Sequence, residues 1–166
     1  MQKDIFLGIG SNLGDRMKNL ETACRYISEL KGVNLVSCSE VLETEPWGKK
    51  DQPYFLNAAV QVECGLSPSE LLQHLLDIEL KMGRERNIKW GPRSIDIDIL
   101  FFGDRLIREE KLIIPHEGIQ NRRFVLENLC DLAPEFIHPV LHKSLQTLLD
   151  EFMESERISK FGKLTI

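Results

Sequence analysis

The chain has 166 residues, 42% of them hydrophobic and 28% charged, and carries a formal net charge of −5. That length suits one domain, residues 1–166, with a core that needs no staples, and the acidic balance excludes a general attraction to nucleic acid or to an anionic membrane. No apolar run approaches the roughly 18 residues of a membrane span. The opening MQKDIFLGIGSNLGD has no signal-peptide core, because Asp4 sits where one would begin. The four cysteines, Cys24, Cys38, Cys64 and Cys130, form no Cys-x-x-Cys pair. A cytoplasmic monomer with core thiols is expected.

Residues 4–9 predict a strand, and the glycine-rich GIGSNLG at 8–14 reads as a tight strand-to-helix turn that brings backbone near a ligand. It has neither the GxGxxG spacing nor the lysine of a phosphate loop. From Asp15 to Leu30 the apolar residues Leu20, Ala23, Cys24, Ile27 and Leu30 recur at helical spacing, with Gly32 as the stop. Residues 33–43 read as one long strand. TEPWGKKDQP is a loop. In 55–63, Leu56, Ala58, Val60 and Val62 face one way; Phe55, Asn57, Gln61 and Glu63 face the other. Ser67-Pro68-Ser69-Glu70 is a capping box that opens a helix running to about Met82. GRERNIKWGPR is a basic loop, SIDIDILFFG a strand, and DRLIREEKLIIP a hairpin arm. Helices near 122–132 and 144–153 follow, and the last dozen polar residues are expected to fray. Strand, helix, strand, strand, helix, strand makes two βαβ-like halves. The fold class is therefore α+β, a ferredoxin-like sandwich on a mainly antiparallel sheet.

Arg93-Ser94-Ile95-Asp96-Ile97-Asp98 carries the strongest chemical signal. On a strand, Ile95, Ile97 and Ile99 share one face, and Asp96 and Asp98 share the other. Two carboxylates so close repel each other unless a divalent cation sits between them, and hard oxygen ligands suit magnesium. A solvated polar strand face would look the same. Four basic residues (Arg84, Arg86, Lys89, Arg93) against Glu85 give the preceding loop a charge of +3, and Arg122 with Arg123 adds a second basic pair. A surface basic loop is common, yet carboxylates beside arginines also describe a nucleotide-phosphate site. Trp90 suits either stacking on a flat ring or anchoring its loop. Phe55 and Asn57 share a strand face, which suits a heterocycle with an amide-like edge; packing alone would also explain them. His138 and His142 flank Pro139, which argues against a helical metal pair. His116 is a candidate phosphate contact.

At these residues the chain resembles the 6-hydroxymethyl-7,8-dihydropterin pyrophosphokinases of folate biosynthesis. The matching pieces are GIGSNLGD at 8–15, ETEPWG at 43–48, DQPYFLNAAV at 51–60, GRER at 83–86, WGPRSIDIDIL at 90–100, IPH at 114–116 and NRRF at 121–124. The resemblance implies an αβα sandwich, ATP as pyrophosphoryl donor, AMP as product and two magnesium ions. Carried over by motif, Asp96 and Asp98 hold the metals, and Arg84 and Arg93 contact the transferring phosphates. Trp90, His116 and Arg122 help bind ATP, and Glu79 falls in the nucleotide pocket. Phe55 and Phe124 sandwich the pterin, while Asn57 and the backbone around Thr44 and Trp47 read its edge. Phe55, Glu45, Glu117 and Arg123 depart from the family's usual residues, which affects fine contacts rather than the reaction. Two rival readings share some of these features. One is a two-metal nucleotidyltransferase or cyclase, which needs no pterin pocket. The other is a non-catalytic RNA-binding α+β module, which the acidic charge disfavours.

Overall fold

The computed structural model describes residues 1–46, 51–83, 94–153 and 158–165. In chain order the elements are β1 (Gln2–Ser11), α1 (Arg16–Ser28), β2 (Val33–Cys38), β3 (Val41–Thr44), β4 (Phe55–Cys64), α2 (Pro68–Lys81), β5 (Asp96–Phe102), β6 (Ile107–Arg108), β7 (Ile113–Ile114), a 3₁₀ turn (Ile119–Asn121), α3 (Arg123–Leu132), α4 (Leu145–Asp150) and β8 (Ile158–Gly162). Side-chain caps set the helix starts. The Asp15 carboxylate accepts from Lys18 N–H at 3.2 Å at the head of α1. Ser67 and Glu70 satisfy each other's backbone at the head of α2, with Pro68 where a missing N–H costs nothing. Ser144 caps α4 through Thr147 N–H.

The main sheet runs β5-β1-β4-β3-β8, with β2 also beside β4, and all its pairings are antiparallel. The first strand, β1, lies between β5 and β4, as in a ferredoxin-like α+β fold. β6 and β7 form the separate hairpin expected of residues 104–115. Alternation sorts the side chains to two faces. Ile5, Leu7, Ile9, Leu56, Ala58, Val60, Ile97 and Ile99 pack with α1 and α2. Phe6, Ala59, Leu100 and Phe101 pack with α3 and α4. Leu7 pairs with Ile99 and Phe6 with Phe101, so Leu100 is an extra residue in β5. That bulge turns two consecutive side chains, Leu100 and Phe101, toward α3 and α4.

Three expectations need correction. Residues 33–43 are two strands, because the chain bulges at Ser39-Glu40: Cys38 to Leu42 spans four steps while the partners Val60 to Asn57 span three. Ser39 Oγ accepts from Ala59 N–H at 2.8 Å, and Asp131 of α3 accepts from Glu40 N–H at 2.7 Å, so the bulge is fully bonded. Glycines 8 and 10 lie within β1, which extends to Ser11, so the turn itself is confined to residues 12–15. The C-terminal segment includes β8, paired along β3, with Arg16 of α1 over the Phe161 ring at 5.6 Å. Backbone pairing with an open sheet edge holds this polar stretch without much apolar content. Cys24 and Cys64 are buried and Cys38 and Cys130 half-buried; all four are free thiols.

Candidate active site

The face toward α3 opens beside β5 into a cavity of about 470 Å³. Its floor is two rows of cross-strand neighbours. One runs Asp96–Gly10–Asn57 and the other Asp98–Gly8–Ala59, across β5, β1 and β4. Glycine at both central positions lets neighbouring side chains settle close over the backbone: Leu100 lies over Gly8 and Asn57 Oδ1 over Gly10. Neighbouring strands are about 4.8 Å apart, which separates Asp96 from Asn57 by roughly 10 Å. Carboxylates thus stand at one end of the floor and an amide at the other.

The amide end is fixed in orientation. Asn57 Nδ2 donates to Thr44 Oγ1 at 2.7 Å. A Cβ on Gly10 would come within 2.7 Å of Asn57 Oδ1, so the carbonyl of Asn57 sits where only glycine leaves room. Phe55 and Phe124 border the same cavity from β4 and α3. A second clamp lies close by: the buried Asn12 donates to Gln52 Oε1 at 2.9 Å and to the Pro53 carbonyl at 3.1 Å, tying the β1–α1 turn to the segment that enters β4.

At the carboxylate end, Asp96 and Asp98 border the cavity side by side. Between them Ile97 N–H points to the sheet edge and donates to Glu79 Oε2 at 2.7 Å. Glu79 reaches over from α2 and is only 1% exposed, so it braces β5 as well as bordering the cavity. His116 follows the cis Ile114–Pro115 bond and donates its N–H to the Leu100 carbonyl. Its Nδ1 accepts from Gly118 N–H at 3.0 Å, which puts the ring proton on Nε2, 4.0 Å from Asp98 Oδ2. Burial, and then the Arg122 guanidinium, push the His116 pKa below its ordinary value despite Asp96 nearby. His116 is therefore a neutral donor at neutral pH. Arg122 borders the cavity, whereas Arg123 turns along α3 to Glu127 at 3.3 Å. Of the expected site residues, Thr44, Phe55, Asn57, Glu79, Asp96, Asp98, His116, Arg122 and Phe124 thus converge on one cavity. Trp47, Arg84, Trp90 and Arg93 lie outside the described residues.

Sequence reasoning missed Asn128, which also borders the cavity. The i, i+4 spacing from Phe124 was the available signal. It also missed the glycine floor, whose signal was the period of two between Gly8 and Gly10. Among the described residues no group of three or more His, Cys, Asp or Glu side chains could hold a metal. Two hard carboxylates alone nevertheless fit magnesium, which completes its shell with water and substrate phosphates.

Paired carboxylates and a neutral histidine at one end of the glycine rows suit phosphoryl transfer, and aromatic rings with an oriented amide at the other suit a flat heterocycle. Comparison with known proteins agrees. Residues 6–134 match the 7,8-dihydro-6-hydroxymethylpterin-pyrophosphokinase family, and the chain belongs to that family. A relative from Methylorubrum extorquens, named 2-amino-4-hydroxy-6-hydroxymethyldihydropteridine pyrophosphokinase, is 41% identical over 132 residues, 80% of this chain and 84% of its own. The folic acid synthesis protein fol1 of Schizosaccharomyces pombe is 42% identical over 149 residues; the match covers 90% of this chain but only 20% of the fission-yeast protein. The Plasmodium falciparum HPPK-DHPS crystal structure with pterin and p-hydroxybenzoate superposes with a TM-score of 0.73 at 22% identity, over 91% of this chain and 43% of that one, and shows the same fold. The family match favours neither the nucleotidyltransferase nor the RNA-binding reading. No helix among the described residues is long and apolar enough to cross a membrane.

Proposed function

We propose that residues 1–166 form one catalytic unit, acting as a monomer, that transfers pyrophosphate from ATP to the hydroxymethyl group of 6-hydroxymethyl-7,8-dihydropterin. The products are AMP and the pterin diphosphate, in folate biosynthesis. Family membership supports the reaction. The observation that carries the assignment of residues is the Asp96–Gly10–Asn57 row, which sets carboxylates and amide one substrate-length apart across three strands.

In this reading Phe55 and Phe124 stack on the two faces of the pterin. Asn57 presents Oδ1 and its remaining Nδ2 hydrogen to the pyrimidinone edge, because Thr44 takes the other hydrogen. Thr44, accepting through Oγ1, keeps its own hydroxyl proton to donate, and the backbone around Thr44 and Trp47 reads the same edge. The pterin's hydroxymethyl arm then extends along Gly10 toward Asp96 and Asp98. Asp96 and Asp98 would hold two magnesium ions, which supply charge neutralisation of the phosphates and activation of the hydroxyl. The hydroxymethyl oxygen attacks the β-phosphorus of ATP in line, the bond from that phosphorus to the bridging oxygen breaks, and AMP leaves. His116 offers Nε2–H to a phosphate oxygen as a neutral donor, and Arg122 adds a fixed positive charge. Glu79 holds β5 through Ile97 N–H and borders the nucleotide. Trp90 packs against the nucleotide, and Arg84 and Arg93 neutralise the charge that develops on the bridging oxygen.

The test is to mix the chain with ATP, magnesium and the hydroxymethyl-dihydropterin and resolve the nucleotides. AMP is expected, and its formation should require both pterin and magnesium. ADP as the main product would sink the pyrophosphokinase assignment.

A further inference from the structure

Asn128 stands on α3 one turn beyond Phe124, on the same helix face. It is 4% exposed and borders the cavity. Its neighbours in sequence, Leu126 and Leu129, belong to the apolar cluster between α3 and the sheet. A carboxamide carries two N–H donors and an oxygen that can accept twice. Among the described residues, none hydrogen-bonds this one. A buried amide left without partners destabilises the fold, and a leucine of similar size would not. On a helix the side chain leans toward the N-terminal turn, so the carboxamide is directed to the turn that carries Phe124.

The other amide of the slot is partly committed. Asn57 gives one N–H to Thr44, which leaves its oxygen and one N–H for a ligand. The edge of a 2-amino-4-oxo-pyrimidine ring offers an exocyclic amine, a ring N–H, an acceptor ring nitrogen and a carbonyl, more than those two groups and the Thr44 hydroxyl can meet. We infer that Asn128 is a specificity-determining residue whose carboxamide hydrogen-bonds the polar edge of the aminopyrimidinone stacked between Phe55 and Phe124. This rests on the pterin reading of the cavity. The unpartnered amide is then a waiting recognition group, and it gains its partners when the heterocycle enters.

Asn128→Leu separates the two roles. Removing an unsatisfied buried amide should leave the melting temperature of the free protein unchanged or higher. Pterin affinity, titrated with magnesium and a non-hydrolysable ATP analogue present, should fall about tenfold. The affinity for the ATP analogue alone should not change. In the wild type, the Nδ2H₂ signals of Asn128 in an ¹⁵N spectrum should shift when pterin is added and stay in place with the ATP analogue alone; this measurement needs no variant. A Leu variant that binds pterin as tightly as wild type, or Asn128 signals that ignore pterin, would overturn the inference while leaving the reaction intact. A wild-type chain that binds no pterin would instead overturn the reading beneath it, and the inference with it.

Discussion

The two faces of the central sheet come from the same strands, yet one is closed and the other open. Toward α1 and α2 the inward positions of β1, β4 and β5 are apolar, aliphatic except for Cys64 and Phe102 at the strand ends, and two capped helices cover them. Toward α3 and α4 the strands offer glycine, aspartate and asparagine at one end and phenylalanine at the other. There Phe6 meets Phe101 and Phe136 edge to face while Phe101 and Phe136 are tilted to each other, with centroids 4.9–6.3 Å apart. A single strand such as β5 therefore gives Ile97 and Ile99 to the core and Asp96 and Asp98 to the cavity. The lesson is that alternation lets adjacent residues serve different ends, provided that one face is stable enough to let the other stay unfilled.

Substitutions within β5 test this division directly. Asp96→Ala or Asp98→Ala should lower turnover by more than the roughly 10²–10³-fold that one hydrogen-bond donor is worth. The melting temperature should hardly move, since neither side chain belongs to the core. Near-wild-type turnover in either variant would remove that aspartate from the metal site. Ile99→Ala should do the opposite. It removes methyl groups from a closed core at a cost of roughly 2–5 kcal/mol, and the molecules that remain folded should turn over normally. Chemical denaturation and active-site titration together would show whether the two faces separate so cleanly. A large kcat loss in folded Ile99→Ala would mean that they do not.

The floor itself offers a smaller effect on the open face alone. Gly10→Ala places a Cβ within 2.7 Å of Asn57 Oδ1. The end of the Asn57 side chain can move aside by giving up its bond to Thr44, so folding should lose only about 1 kcal/mol. The displaced amide can no longer meet the heterocycle edge, and pterin affinity should fall about tenfold. Calorimetric titration with pterin would check this, and unchanged affinity would show that Asn57 does not read the substrate.

What was legible in the residues follows the same division. Strand and helix alternation, the Ser67 capping box and the Asp96–Asp98 pairing depend on spacing of one to four residues, which a sequence displays. The convergence of Asn57, Asp96, His116 and Phe124 depends on strand order, and spacing alone cannot supply that; the family motifs did. β8 was misjudged because its hold is backbone pairing with β3, which polar residues can make as well as apolar ones. The break at Ser39 was hidden because its bonds run to Ala59 and to Asp131, far along the chain. Asn128 was passed over because a polar residue on a helix reads as solvent-facing until the opposite surface is known.

The smallest expected effect concerns the α3–α4 side away from the cavity. His138 is buried with its ring edge-on to Phe101 at 5.3 Å. Its Nδ1 accepts from the N–H groups of both Val140 and Leu141 at 3.2 Å, and its backbone bonds to Lys143 and His142 close the turn around it. Both ring contacts require the neutral imidazole with Nδ1 bare. Burial, and then the nearby His142, hold its pKa below the ordinary histidine value. The sign follows from linkage. Above about pH 6.5 the ring is neutral in folded and unfolded chains alike, and the turn contributes fully. As the pH falls, the unfolded chain takes the proton first, so stability declines until the folded pKa is passed, where the slope flattens. His138→Asn keeps an acceptor near the position of Nδ1 and cannot be protonated. Wild type should therefore lose more stability than His138→Asn between pH 7 and pH 5, the other three histidines being common to both. Melting curves for the two proteins across that range would decide it. Parallel declines would show that this histidine only fills space, and that the closed end of the open face does not respond to pH through this turn.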